Sequence, residues 1–199
     1  MDVFTLRRFM LFLLLLTVGQ AGAGETAAVG QQAVTVSVER LEDYFRVEAS
    51  VILPVPPCQA FALLTDYASL PDFIPGIREV SVERLSKSKV KVRQRAETEV
   101  LFFRFEMDLL LEMEEMPDRL ISFRLIEGNM EAYSGVWSLR ELPEGTRLRY
   151  SASLKFDRYI PTFPGREMLA EEAAKRFEAV LRESVARKNW VHPNCAVAK

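Results

Sequence analysis

Residues Phe102–Glu114 read FFRFEMDLLLEME. Phe103, Phe105, Met107, Leu109, Leu111 and Met113 fall on one parity of this run, and Arg104, Glu106, Asp108, Glu112 and Glu114 fall on the other. Side chains alternate across a strand but recur about every 3.6 residues around a helix. No helical face separates these two sets, so the run is a strand with one apolar and one solvated face. Such a strand belongs in an antiparallel sheet whose apolar side rests on another layer. The remaining sequence must supply that layer.

The same alternation recurs along the chain. In Tyr44–Leu53 (YFRVEASVIL), Phe45, Val47, Ala49, Val51 and Leu53 share a face. Val34, Val36 and Val38 alternate upstream, so the chain enters through a hairpin around Glu42-Asp43. Val80 and Val82 restart the pattern after Gly76, and Val90, Val92, Gln94, Ala96 and Thr98 oppose Lys89, Lys91, Arg93, Arg95 and Glu97. Further inward sets are Ile121, Phe123 and Leu125, then Tyr133, Gly135, Trp137 and Leu139, then Leu148, Tyr150, Ala152, Leu154 and Phe156. Pro117-Asp118, Gly128-Asn129 and Pro143-Glu144-Gly145 supply the turns between them.

The period changes twice. Pro54, Pro56 and Pro57 end the first long strand, and Gln59–Tyr67 (QAFALLTDY) reads as a short helix with Ala60, Phe61 and Leu64 inward. A second helical turn follows and is closed by Pro75-Gly76. At the other end, Pro164–Lys188 places Leu169, Ala173, Phe177, Val180, Leu181 and Val185 on one side at helical spacing, with Glu171, Lys175, Arg176, Glu178 and Arg182 elsewhere. The fold class that follows is α+β: a curved antiparallel sheet of about six to seven strands wrapped around a long C-terminal helix, with two short helices after the first strand.

The first residues have a different character. Arg7 and Arg8 precede the apolar run Phe9–Val18, which is too short to span a bilayer, and Ala21-Gly22-Ala23 has the small-residue spacing of a cleavage site. Residues 1–23 are expected to be a signal peptide, 24–33 a flexible leader remnant, 34–188 the domain and 189–199 a tail. Export to the periplasm, or secretion, follows as an expectation, with a soluble mature chain.

The whole chain of 199 residues carries 26 basic and 28 acidic side chains, a net charge of −2. Nothing in that balance supplies a phosphate-tracking basic stripe, so nucleic acid is not expected as a partner. Lys87, Lys89, Lys91, Arg93 and Arg95 read as a solvated strand face. Cys58 and Cys195 are the two cysteines; in an oxidising compartment they form a disulfide or remain two thiols, and spacing alone does not choose. Two Cys and one His so widely separated make no metal site, and no cofactor is expected. His192 is the sole histidine and lies in the tail, which excludes a Ser-His-Asp or Cys-His site in the core. Acid–base chemistry would fall to Asp66, Asp72 or Glu127 near the expected mouth.

Several inward residues are large and soft: Phe103, Phe105, Met107, Phe123, Trp137, Tyr150, Met168 and Phe177. Gln94, Thr98 and Tyr133 add polar groups to the same wall. A curved sheet diverges from a straight helix, and the gap is filled either by side chains, as in a packed core, or by a ligand in a mostly apolar pocket.

Pro54–Pro57 leading into Ala60-Phe61, then LLTDYASLPDFIP, IEGNMEAYSGVWSL (Ile126–Leu139) and RLRYSASLKF occur in order before the final helix. This succession resembles the START-like helix-grip superfamily, in its polyketide cyclase/dehydrase branch that includes the coenzyme Q-binding proteins. The likeness extends over about Val47–Lys188. It implies a cavity between sheet and helix that receives a lipid, quinone or other hydrophobic molecule, with no catalytic residue assigned. It also implies that the cavity wall carries the residues just named, with Phe73 and Ile74 in one rim and Tyr159 and Phe163 in another. For Phe73 a hydrophobic staple holding the insertion down is the competing role. Transient membrane contact at such a rim is a further expectation. The functional expectation is an exported carrier; a cyclase- or hydrolase-like enzyme using a mouth carboxylate, and an interaction module with a filled core, are the alternatives.

Overall fold

The computed structural model describes residues 33–100, 103–189 and 195, with backbone alone at 98–100 and 103–105. The expected signal peptide, most of the leader remnant, most of the tail and His192 therefore lie outside the described residues.

Eight strands form one antiparallel sheet: β1 (Thr35–Leu41), β2 (Tyr44–Leu53), β3 (Ile77–Arg84), β4 (Lys89–Val100), β5 (Phe103–Met116), β6 (Leu120–Gly128), β7 (Met130–Leu142) and β8 (Gly145–Phe156). Their spatial order is β1-β2-β8-β7-β6-β5-β4-β3, so the sheet is open, with β1 and β3 at its edges. The count exceeds the expected six to seven because β3 is a strand in pairing more than in pattern. Only Ile77 is buried along it, and Val80 half-buried, so little hydrophobic alternation marks it. Elsewhere parity holds wherever side chains are described. Phe45, Val47, Ala49, Val51 and Leu53 are all buried, and the β1–β2 hairpin turns at Glu42-Asp43, where Glu42 takes a φ of 54°.

Two short helices, α1 (Pro57–Thr65) and α2 (Leu70–Phe73), are joined by a 3-10 turn at Tyr67–Ser69. α1 buries Ala60 and Leu63, whereas Phe61 and Leu64 are only half-buried at its flank. The long helix, α3 (Thr162–Ala186), has non-helical backbone at Phe163, so its regular part starts at Pro164. It buries Gly165, Phe177, Ala179, Val180 and Ser184. Val185, expected inward, is exposed, and Ser184 takes the buried position with its hydroxyl donating to the Leu181 carbonyl at 2.7 Å. A serine that satisfies itself on its own helix is tolerated where an apolar residue was expected.

The insertion is fastened at the far end of α3. Cys58 and Cys195 form a disulfide with Cα atoms 5.7 Å apart, which decides the question that spacing left open. Arg187, just past α3, donates to Asp66 at 3.0 Å and to Glu183 at 2.6 Å, and lies 5.6 Å over the Phe73 ring. Tyr67 donates its buried hydroxyl to Glu115 at 3.0 Å, and Arg84 donates to the other oxygen of that carboxylate at 3.0 Å. Glu115 is 6% exposed and paired on both oxygens, the condition under which a buried charge is tolerated. Burial, aided by this neighbouring carboxylate, drives the Tyr67 hydroxyl far above the usual tyrosine range.

Candidate functional site

The interior is divided by an aromatic shelf. Trp137 stacks on Phe177 with centroids 5.3 Å apart and lies 4.6 Å from Tyr150; Phe123 sits 4.8 Å from Tyr133 and 6.1 Å from Tyr150. Strand register creates the shelf. Trp137 pairs with Tyr150 and Gly135 with Ala152 across β7 and β8, while Phe123 on β6 opposes Gly135. Gly135 lets the Phe123 ring lie flat on the strand, since a Cβ there would stand 2.8 Å from Phe123 Cζ.

On one side of the shelf the space is filled. Val51, Leu53, Ala60, Leu63, Leu139, Leu148 and Val180 form a packed core beneath α1 and the C-terminal half of α3. On the other side, under the N-terminal half of α3, a cavity of about 490 Å³ remains. Its walls come from Val47, Leu109, Met130, Leu154 and Phe156 on the sheet, and from Gly165, Met168, Leu169 and Ala173 on α3. Glu106, Asn129, Asp157 and Arg158 are its exposed members and mark the mouth. That size and mainly apolar lining are those of a small-molecule pocket.

The mouth is built rather than loose. Asn129 accepts from the Asp108 amide at 3.0 Å and donates to the Glu106 carbonyl at 2.7 Å, clamping the β6–β7 turn to β5. Arg40 donates to the Ile160 carbonyl at 2.8 Å and lies 4.7 Å over the Phe45 ring, while Arg166 donates to the Val38 carbonyl at 3.1 Å.

Of the residues expected at the cavity, Gln94, Met107, Tyr133, Trp137, Tyr150, Met168 and Phe177 line it. Phe123 does not; it is buried in the shelf behind the two tyrosines. The side chains of Thr98, Phe103 and Phe105 lie outside the described residues. The two expected rims fare differently. Phe73 and Ile74 do not line the cavity: Ile74 is buried and Phe73 packs on the core and under Arg187, the staple role. Greasy composition showed that this segment packs, but not against which end of the helix. Tyr159 and Phe163 flank the mouth residues Asp157, Arg158 and Ile160 and are 79% and 76% exposed. The carboxylates expected at the mouth are also elsewhere: Asp66 pairs with Arg187, Glu127 bonds Arg93 on the outer face, and neither they nor Asp72 line the cavity.

Away from the mouth the polar groups that line it are Gln94, Tyr133, Tyr150, Glu172 and Arg176. The Tyr133 and Tyr150 hydroxyls bond one another at 2.8 Å. Burial raises both above the ordinary tyrosine range, and the positive charge of Arg176 opposes that rise at each. Arg176 itself lines the cavity, a residue that helical periodicity assigned away from the apolar side. The available signal was its place between Ala173 and Phe177, three and one residues away, on the arc that faces the sheet.

A family model described as polyketide cyclase/dehydrase and lipid transport matches residues 53–185, most of the described domain. The chain belongs to that family. Solved relatives place the same fold in varied settings. A Streptomyces aromatase/cyclase matches with a TM-score of 0.62 at 19% identity, covering 72% of this chain and 95% of that one. A STAR-related lipid transfer protein from Xanthomonas axonopodis matches with a TM-score of 0.63 at 13% identity, covering 76% and 93%. Human STARD10 matches with a TM-score of 0.58 at 13% identity, covering 82% and 78%. No curated protein sequence matches the chain. At these identities the likeness is one of fold, and the helix-grip architecture is that fold.

Proposed function

We propose that this family member is an exported carrier for a hydrophobic small molecule of the lipid or quinone class, held between the sheet and α3. The observation that carries this reading is the cavity of about 490 Å³ lying beside a core that is already filled. Packed side chains fill the interior beneath α1 and along β4–β6, and beside them, under the N-terminal half of α3, a space is left that a guest can occupy. A ligand burying a few hundred Å² of apolar surface gains several kcal/mol at about 25 cal/mol per Å², before the costs of association. The exposed Tyr159 and Phe163 beside the mouth suit brief contact with a membrane surface during loading. Positioned acid–base groups would be needed for the cyclase alternative; the three carboxylates expected to serve it stand outside the cavity, and those that line it are exposed at the mouth (Glu106 and Asp157) or turned to Lys175 (Glu172).

The test is binding of the neutral fluorescent dye N-phenylnaphthylamine, with organic extraction of the purified protein analysed by mass spectrometry. Saturable dye binding is expected, weakened about tenfold or more by Met168→Trp, which fills the pocket with a larger ring. No dye binding by the wild-type protein, together with no extracted lipid, would overturn the reading.

A further inference from the structure

Arg176 is a charged group of this site with a buried nitrogen that the described residues do not satisfy. It lines the cavity from α3, and its Nε is buried without a hydrogen-bond partner. Among the described residues it makes no ion pair, while its helical neighbours do: Lys175 pairs with Glu171 at 2.8 Å and Arg182 with Glu178 at 3.8 Å. Glu172, one turn away and also on the cavity, is the nearest acidic residue along the helix face, but its carboxylate is turned to Lys175 at 3.5 Å. The mouth carboxylates Glu106 and Asp157 are exposed on other elements. A guanidinium in mainly apolar surroundings loses solvation, and ordinarily a carboxylate or several carbonyls compensate it.

The tyrosine pair leaves a second unused donor. In a bond between two hydroxyls one proton is spent and the other is left over. Among the described residues the Tyr133–Tyr150 pair has no other side-chain hydrogen bond, so one O–H remains available on the cavity wall. Guanidinium N–H groups donate and never accept. Gln94, also on the wall, can add an amide donor. Away from the exposed mouth, and with Glu172 turned to Lys175, the polar wall formed by Arg176, Tyr133, Tyr150 and Gln94 is therefore biased toward donors and carries a positive charge, which complements an acceptor-only anion.

Resting on the carrier reading, we infer that the ligand is an anionic amphiphile. Its carboxylate sits on Arg176 and the Tyr133–Tyr150 hydroxyls, and its chain lies along Met107, Met168 and Leu169. A neutral quinone or alcohol would leave the guanidinium uncompensated. Hydrogen bonds to a charged partner are stronger than those to a neutral one by enough to give about a tenfold to hundredfold preference.

The experiment displaces bound N-phenylnaphthylamine with palmitate, or with cetyl alcohol of the same chain length, at pH 8. Palmitate is expected to displace it at about tenfold lower concentration or better. Arg176→Met should reduce that ratio to near one, and Arg176→Lys, which keeps the charge but not the fork, should keep part of it. Circular dichroism and the urea midpoint establish that each variant is folded. The wild-type protein alone gives a second readout, because the preference should disappear when pH falls far enough to protonate the fatty acid. Equal displacement by acid and alcohol at pH 8, or a preference surviving in Arg176→Met, would overturn the inference while leaving the carrier intact. Failure of the wild-type protein to bind the dye at all would instead remove the carrier reading, and this inference with it.

Discussion

Replacing Gly135 by alanine tests whether the aromatic shelf is built as described. The new Cβ would stand 2.5 Å from the Ser151 carbonyl oxygen, 2.7 Å from Ala152 Cβ and 2.8 Å from Phe123 Cζ. The first two contacts belong to the paired strand β8 and are relieved only by spreading β7 from β8. The third requires the Phe123 ring to retreat by about 0.7 Å to reach ordinary carbon–carbon separation. That ring is held by Tyr133 on one side and Tyr150 on the other, so it has little room to give. Overpacking of this kind costs about 1–3 kcal/mol, offset in part by the roughly 0.5–1 kcal/mol that alanine gains over glycine within a strand. With three contacts under 3 Å the cost falls in the upper part of that range, so the expected net loss is about 1–2 kcal/mol, a fall of about 1 M in urea midpoint for a domain with a slope near 1–2 kcal/mol per M. Gly135→Ala combined with Ala152→Gly removes the second clash and should recover part of the loss. Dye affinity should weaken alongside, because a displaced Phe123 pushes Tyr133 away from Tyr150. A midpoint unchanged or raised in Gly135→Ala would mean that the glycine is not what admits Phe123, and the account of the shelf would fail.

Two further outcomes are expected. Cys58→Ser combined with Cys195→Ser removes a cross-link spanning 137 residues, worth up to about 5 kcal/mol in the chain-entropy model; reductant should lower the wild-type urea midpoint and leave the double variant unmoved. The hydroxyls of Tyr67, Tyr133 and Tyr150 are all raised by burial, so the folded state retains protons that the unfolded chain releases near pH 10. Their contribution is complete below that pH and declines above it, by up to about 1.4 kcal/mol per pH unit for each tyrosine. Urea midpoints at pH 9 and 11 should show the decline, and Tyr67→Phe should make it shallower; a flat profile would contradict the burial.

Strand parity was legible because a half-buried sheet writes its two faces directly into alternate residues, as in β2 and β5. The edge strand β3 was faint, since an exposed edge has no need of a second apolar residue every two positions. The long helix was legible in length but less so in facing: Val185 turned outward and Ser184 inward, because periodicity gives an arc about 100° wide and not its limits. Arg176 was misassigned for a physical reason. Pattern reading treats a charge as outward-facing, and that rule fails where the interior is not filled with carbon. Phe73 and Ile74 show the complementary limit, since a hydrophobic segment announces that it will be covered but not by which part of the molecule.

The fastening of α3 is unequal along its length, and this bears on how a guest would get in. Its last turns are gripped by Asp66, Phe73 and the packed core, whereas its first turn has mostly exposed side chains apart from Gly165 and is held by Arg40 and Arg166 donating to single carbonyls, with apolar packing on Val38, Phe45 and Val47 resuming at Leu169. Charge-assisted bonds of that kind are worth roughly 1.5–3 kcal/mol each. Detaching that turn is therefore a local event costing a few kcal/mol, well short of global unfolding. The end of the rod that roofs the void is the end with fewer anchors, so on the carrier reading it is the end where a passenger would come and go.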